Sequence, residues 1–172
     1  MYFENFISND MANEQLDYMW NNLDWYQVEN TPRREYWQNV FSVPYTYGSG
    51  RGVRTYDARP WDSYCLGLMH RLNEEFNCNM NCCFINGYAN EKDSLNWHAD
   101  DSPEMNDLEP IISVSLGEER EIFTRNNETR EITKYKLGNG SAFVMPPGFQ
   151  DTHEHKIPKG GKPMGKRVSL TY

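Results

Sequence analysis

The sequence predicts a mostly β fold of the α+β class: a double-sheet jelly roll (a double-stranded β-helix) with N-terminal helices packed on one of its sheets. Three observations carry that prediction. Two stretches with apolar residues at helical spacing come first, Leu16 to Leu23 and Trp61 to Phe76. About eight short strand-like stretches follow between Cys82 and Tyr172, separated by turn residues such as Gly117-Glu118 and Gly138-Asn139-Gly140. No internal repeat or low-complexity linker interrupts the 172 residues, a length that suits one domain closing its own core.

Taken in order, Tyr2 to Ile7 alternates enough for a first strand. Ser8-Asn9-Asp10 then offers a helix cap, and Leu16, Met19, Trp20 and Leu23 place a core-facing helix that ends near Asp24-Trp25. From Thr31 to Arg59 the pattern breaks into Pro, Gly, Arg and Tyr: Thr31-Pro32-Arg33-Arg34-Glu35-Tyr36, then Pro44-Tyr45-Thr46-Tyr47-Gly48-Ser49-Gly50-Arg51-Gly52. Two readings stand side by side here. The tyrosines either cover the core as a hairpin, or stack on bases while the arginines hold phosphates. Pro60 suits the first position of a second helix, with Trp61, Tyr64, Cys65, Leu68, Met69, Leu72 and Phe76 on its apolar stripe. His70 lies off that stripe and reads as a surface residue. The strands expected next are Cys82 to Tyr88, Leu95 to Asp100, Ile111 to Leu116, Glu121 to Arg125, Glu131 to Leu137, Ser141 to Met145, Thr152 to Ile157, and Arg167 to Tyr172. A jelly roll built from them offers a cavity between its sheets, where side chains from separate strands can meet.

A net charge of −8 argues against generic binding of nucleic acid, because phosphate contacts need local Lys and Arg. The average conceals a pattern. Residues 1–30 carry six acids and no Lys or Arg, whereas Arg33, Arg34, Arg51, Arg54 and Arg59 crowd one later stretch and Lys156, Lys159, Lys162, Lys166 and Arg167 another. Met1-Tyr2-Phe3-Glu4 lacks the basic start of a secretory signal, and no apolar run approaches a membrane span, so a cytoplasmic protein without membrane contact is expected, working as a monomer. Cys65, Cys78, Cys82 and Cys83 contain no Cys-x-x-Cys pair and read as reduced, partly buried thiols.

The chemistry centres on Leu95-Asn96-Trp97-His98-Ala99-Asp100-Asp101. A neutral imidazole and a carboxylate two residues apart share one face of an extended strand, so His98 and Asp100 can grip one divalent metal. A facial site of two histidines and one carboxylate needs another histidine, and His153 and His155 lie in a later extended stretch. They are two apart, so periodicity does not choose between them.

Asn86-Gly87-Tyr88, His98-Ala99-Asp100-Asp101, Pro110-Ile111-Ile112-Ser113-Val114-Ser115-Leu116-Gly117, Leu137-Gly138-Asn139-Gly140-Ser141, His155-Lys156-Ile157-Pro158 and Arg167-Val168-Ser169-Leu170-Thr171 occur in one order along the chain. That ordered set resembles the AlkB-type Fe(II)/2-oxoglutarate dioxygenases, most densely from Cys82 to Tyr172. The resemblance implies Fe(II), 2-oxoglutarate and O2 as cofactor and cosubstrates. It also implies His155 as the distal ligand, since the family's histidine precedes a hydrophobic-Pro pair. Asn86 and Tyr88 are then expected against 2-oxoglutarate, with Arg167, near Ser169 and Thr171, holding its far carboxylate; a guanidinium pairs well with a carboxylate. Two positions depart from the family's Arg-x-Asn-x-Thr-x-Arg: Ser169 stands at the Asn, and the closing arginine falls beyond Tyr172, where the sequence ends.

Upstream, the resemblance makes residues 31–59 a nucleotide-recognition lid in which Arg33, Arg34, Tyr45 and Tyr47 meet substrate, and residues 82–172 the catalytic core of a single dioxygenase domain spanning 1–172. Asp101 and Ser102 follow the metal-binding Asp; Ser102 occupies the position where the family often carries an acid that reads the base. The implied activity is oxidative dealkylation of N-methylated bases in DNA or RNA, releasing formaldehyde, succinate and CO2. Its substrate is single-stranded or flipped out of a duplex. Two alternatives accompany it: a dioxygenase with the same cofactors acting on a protein or small molecule, and a non-catalytic jelly-roll binding module.

Overall fold

The structure, a computed structural model, describes residues 1–26, 31–48, 53–103 and 105–172. The Ser49-Gly50-Arg51-Gly52 part of the expected lid lies outside the described residues. Strand β1 (Tyr2–Phe3) is shorter than expected: Asn5 takes a left-handed φ of 58°, and Phe6 and Ile7 turn down into the core. Ser8 caps helix α1 (Asn9–Asn22), its Oγ accepting from the Met11 N–H at 3.4 Å. The expected second helix starts later than Pro60. Asp62 caps α2 (Ser63–Phe76), its Oδ1 accepting from the N–H groups of Tyr64 and Cys65, both at 3.1 Å. Asn77, at φ 49°, ends it in a left-handed cap.

Between the helices lies a strand that periodicity did not show. β2 (Arg34–Asn39) is followed by β3 (Tyr45–Tyr47) and β4 (Arg54–Tyr56), which pair as a hairpin. After α2 come β5 (Cys82–Tyr88), β6 (Leu95–His98), β7 (Ile111–Gly117), β8 (Arg120–Asn126), β9 (Ile132–Leu137), β10 (Ala142–Met145), the one-turn helix α3 (Phe149–Thr152), β11 (His153–Ile157) and β12 (Arg167–Thr171). Most agree with the expected strands to within a residue. Two differ at the site: β6 stops at His98 rather than Asp100, and Thr152 belongs to α3 rather than to β11.

Two antiparallel sheets form the jelly roll, six-stranded in the order β1-β10-β7-β12-β5-β2 and four-stranded in the order β6-β11-β8-β9. Alternation divides the larger sheet. Cys83, Ile85, Ile112, Val114, Leu116, Val168 and Leu170 join Met19, Leu68 and Leu72 in one apolar cluster, which seats both long helices on one face. Each of the fully buried aliphatics contributes about 2 kcal/mol. The opposite face looks toward the smaller sheet across a second cluster that includes Tyr88, Ile122, Phe143, Met145 and Ile157. Gly87 lets the sheet lie close against α1 and the residues after it: a Cβ there would stand 3.2 Å from both Trp20 and Trp25, tighter than ordinary contact. No helix among the described residues is long and apolar enough to cross a membrane. Cys65, Cys78, Cys82 and Cys83 are free thiols.

Candidate metal centre and the cavity around it

His98 and His155 face each other across the β6–β11 ladder, rings 4.2 Å apart. Asp100 sits two residues past the end of β6 and reaches both, Oδ1 3.6 Å from His98 Nε2 and Oδ2 3.5 Å from His155 Nε2. One ligand atom from each lies within 4.8 Å of the others, and this is the one such cluster among the described residues. Asp100 is not held by a strand ladder. Its backbone N–H instead donates to Gln150 Oε1 of α3 at 3.0 Å.

The pairing of β6 with β11 carries an irregularity that serves the site. His155 pairs with His98 and Ile157 with Leu95, so Asn96 and Trp97 together stand opposite Lys156. This bulge lets Leu95 and His98, three residues apart, line the same cavity. It also turns the Asn96 carbonyl onto His98 Nδ1 at 2.8 Å. A carbonyl only accepts, so Nδ1 carries the proton and the Nε2 lone pair is free for a metal. For His155, burial, opposed by Asp100, pushes the pKa down to about 4, and its Nδ1 has no partner among the described residues. Two imidazoles and one carboxylate converging on one point suit a 2-His-1-carboxylate metal. His153 is outside the cluster, its ring stacked on Phe149 at 4.5 Å.

Asn86, Tyr88, Ser169 and Thr171 line the cavity as the alternation of β5 and β12 requires. Arg167 lies behind them, fully buried, donating from Nε to Ser115 Oγ at 2.8 Å and from Nη2 to Ser169 Oγ at 3.3 Å. Its Nη1 has no partner among the described residues, and burial lowers its pKa to about 10. A buried cation with one free donor suits a carboxylate that is not part of the protein.

On the other side strand parity separates the two lid arginines. Arg33 lines the cavity and donates from Nε to Asn86 Oδ1 at 2.8 Å. Arg34 is on the helix side, its guanidinium 4.4 Å over the Trp20 ring, away from the site. Tyr45 is buried, stacked on Trp37 at 4.9 Å, and accepts at its OH from Ser102 Oγ at 3.0 Å. Burial raises the Tyr45 pKa. Tyr47 stands edge-on to His98 at 6.2 Å, nearer the candidate metal position. Asp101 is exposed and does not line the cavity, and His70 is exposed on α2. Within the hairpin Tyr45 and Tyr56 cover a small core with Trp37, and Tyr47 borders the cavity.

Three participants were not singled out from sequence. Glu35 and Gln150 are isolated polar residues whose partners lie on other elements, so no local pattern marks them. Ser113 is different: it lines the cavity and shares a 2.9 Å hydrogen bond with Ser169. Its alternation with Ser115 in an otherwise aliphatic strand was a readable sign of a polar inner face.

A family model described as the 2OG-Fe(II) oxygenase superfamily matches residues 1–172. Human alpha-ketoglutarate-dependent dioxygenase alkB homolog 3 is 30% identical over 151 residues, 82% of this chain and 51% of that protein. Mouse DNA oxidative demethylase ALKBH2 is 26% identical over 149 residues, 79% of this chain and 62% of that one. The chain spans about half the length of the alkB homolog 3 proteins it matches. Of solved structures, OsALKBH1 superposes with a TM-score of 0.67 at 14% identity, covering 99% of this chain and 95% of that one. A Pseudomonas putida prolyl-4-hydroxylase gives 0.62 at 12% identity over 99% of this chain and 89% of its own. At these identities the two structures speak to fold alone.

Proposed function

We propose a function from one premise: the chain belongs to the 2OG-Fe(II) oxygenase superfamily, as an AlkB-type Fe(II)/2-oxoglutarate-dependent dioxygenase. The reading is oxidative dealkylation of N-methylated bases in DNA or RNA. The convergence of His98, Asp100 and His155 on a cavity walled by Trp37, Tyr45 and Tyr47 is the observation that carries it. In this reading those three residues would hold Fe(II), and the bound iron would use O2 to oxidise both 2-oxoglutarate, to succinate and CO2, and the methyl group, which leaves as formaldehyde. The chain's own groups do the rest. Asn86, Tyr88, Ser169 and Thr171 shape the cosubstrate pocket, and the free Nη1 of Arg167 takes its far carboxylate. Tyr47, edge-on to His98, is the stacking partner for a base that has left its duplex or was never in one. Tyr45 is committed to Trp37 and Ser102, and so shapes the pocket wall.

The proposed working unit is one dioxygenase domain over 1–172, with 31–59 as lid and 82–172 as catalytic core, acting as a monomer in the cytoplasm; the four free thiols suit a reducing compartment. The test is formaldehyde release from methylated DNA and RNA oligonucleotides in the presence of Fe(II) and 2-oxoglutarate. Release that depends on both supports the reading. Succinate release that no methylated oligonucleotide stimulates would refute it and favour a basic polypeptide substrate instead, which the charge of −8 would attract.

A further inference from the structure

Glu35 is an acid where a strand should be apolar. It sits on β2 directly opposite Asn86 of β5 and is 1% exposed. Both oxygens of its carboxylate are engaged: Oε1 accepts from Arg33 Nη2 at 2.5 Å, and Oε2 from the Tyr56 hydroxyl at 2.6 Å, with Arg54 Nη1 at 3.7 Å. A carboxylate buried this deeply persists only when paired, and Arg33, itself 8% exposed, is its main partner. Arg33 in turn is held at three points: Glu35, the Ser94 carbonyl at 3.4 Å, and Asn86 Oδ1 at 2.8 Å.

The last contact decides which way an amide faces. A guanidinium N–H only donates, so opposite Arg33 Nε the Asn86 side chain must present its oxygen. Its NH2 is then left for the cavity. Every polar atom of a 2-oxo dicarboxylate accepts hydrogen bonds, so an Asn86 rotated the other way would offer an oxygen where a donor is needed. We propose that Glu35 is a positioning residue for the cosubstrate: it clamps Arg33, and Arg33 fixes the Asn86 amide with its NH2 toward the cavity. The inference rests on the cosubstrate assigned under the proposed function.

The test is a titration of the Mn(II)-loaded protein with 2-oxoglutarate, followed by tryptophan fluorescence, since Trp37 lines the cavity. Glu35→Gln keeps the shape and removes the charge that orients Arg33; affinity should fall roughly tenfold, the worth of one charge-assisted hydrogen bond. Tyr56→Phe removes the other bond to the same carboxylate. It should lower the melting temperature by a similar amount yet leave the affinity within about twofold, because Arg33 keeps its partner. If Glu35→Gln does not fold, Arg33→Lys serves: the charge opposite Glu35 remains, but one ammonium cannot also orient Asn86, so affinity should again drop. Wild-type affinity in Glu35→Gln or in Arg33→Lys, or equal losses in Glu35→Gln and Tyr56→Phe, would overturn the inference. Failure of the wild-type protein to bind 2-oxoglutarate would overturn the proposed function instead.

Discussion

Replacing Arg167 with methionine should separate two quantities that usually fall together. Burial lowers the Arg167 pKa from 12.5 to about 10, so keeping the guanidinium charged where it is fully enclosed costs about 3 kcal/mol relative to water. Against that cost stand two hydrogen bonds, to Ser115 Oγ at 2.8 Å and Ser169 Oγ at 3.3 Å. At about 1.5 kcal/mol each they return nearly all of it. Arg167→Met removes the charge, the penalty and the two bonds while filling much of the same volume. The melting temperature of the ligand-free protein should therefore move by less than about 3 °C. Binding should behave differently. The Nη1 that has no partner within the described protein is the donor left for a carboxylate, and that bond is worth about 1.5–3 kcal/mol, so 2-oxoglutarate affinity should fall roughly 10- to 100-fold. Differential scanning fluorimetry and a titration of the Mn(II)-loaded protein measure both. A large drop in melting temperature with unchanged 2-oxoglutarate affinity would show that Arg167 is a structural cation.

Three further outcomes are expected. His155→Ala should abolish Fe(II) binding, measured by metal analysis after gel filtration, whereas His153→Ala should keep it, because His153 is stacked on Phe149 outside the cluster. Gln150→Leu should weaken metal affinity roughly threefold to tenfold by freeing the Asp100 backbone, with little change in far-UV circular dichroism; unaltered affinity would show that the loop is held by other means. Metal-free protein should lose stability on acidification: His155 takes up a proton near pH 6.5 when unfolded and only near about 4 when folded, so the loss develops between those values and reaches about 3 kcal/mol by pH 4. Urea midpoints from pH 7 to 4.5 check this, and a His155→Gln variant should show a flatter dependence.

Both helices and most strands of the two sheets were legible because their apolar residues recur at a single period; of the clustered side chains, His98 and Asp100 were legible from strand parity, whereas His155 was separated from His153 by the family resemblance alone. β2 was not legible, for a physical reason. Five of its six residues are buried, among them the polar Glu35, Gln38 and Asn39, so no alternation of apolar and polar residues survives. The side-chain oxygen of each finds a partner remote in sequence or in the turn, Glu35 from Tyr56, Gln38 Oε1 from the Asp62 N–H at 2.7 Å, and Asn39 Oδ1 from the Phe41 N–H at 2.7 Å, while Gln38 Nε2 has no partner among the described residues. The same strand explains why Arg33 and Arg34, adjacent in sequence, part company. Placing both in the substrate site treated the stretch as a loop, whereas one-residue parity sends the first inward and the second to Trp20.

The extra residue in β6 makes the site unequally tolerant of changes in chain length. Shortening the Asn96-Trp97 pair by one residue would restore a regular strand with Leu95 and His98 two apart, so both would still face inward. What would go is the carbonyl that fixes the proton on His98 Nδ1, giving a protein with all three ligands and an imidazole free to present either nitrogen. Lengthening by one residue would leave Leu95 and His98 four apart and on the same face, but in a regular ladder His98 would then stand opposite His153 rather than His155, drawn away from the other two side chains of the cluster. Deletion thus adjusts how the metal is held, whereas insertion decides whether it is held at all.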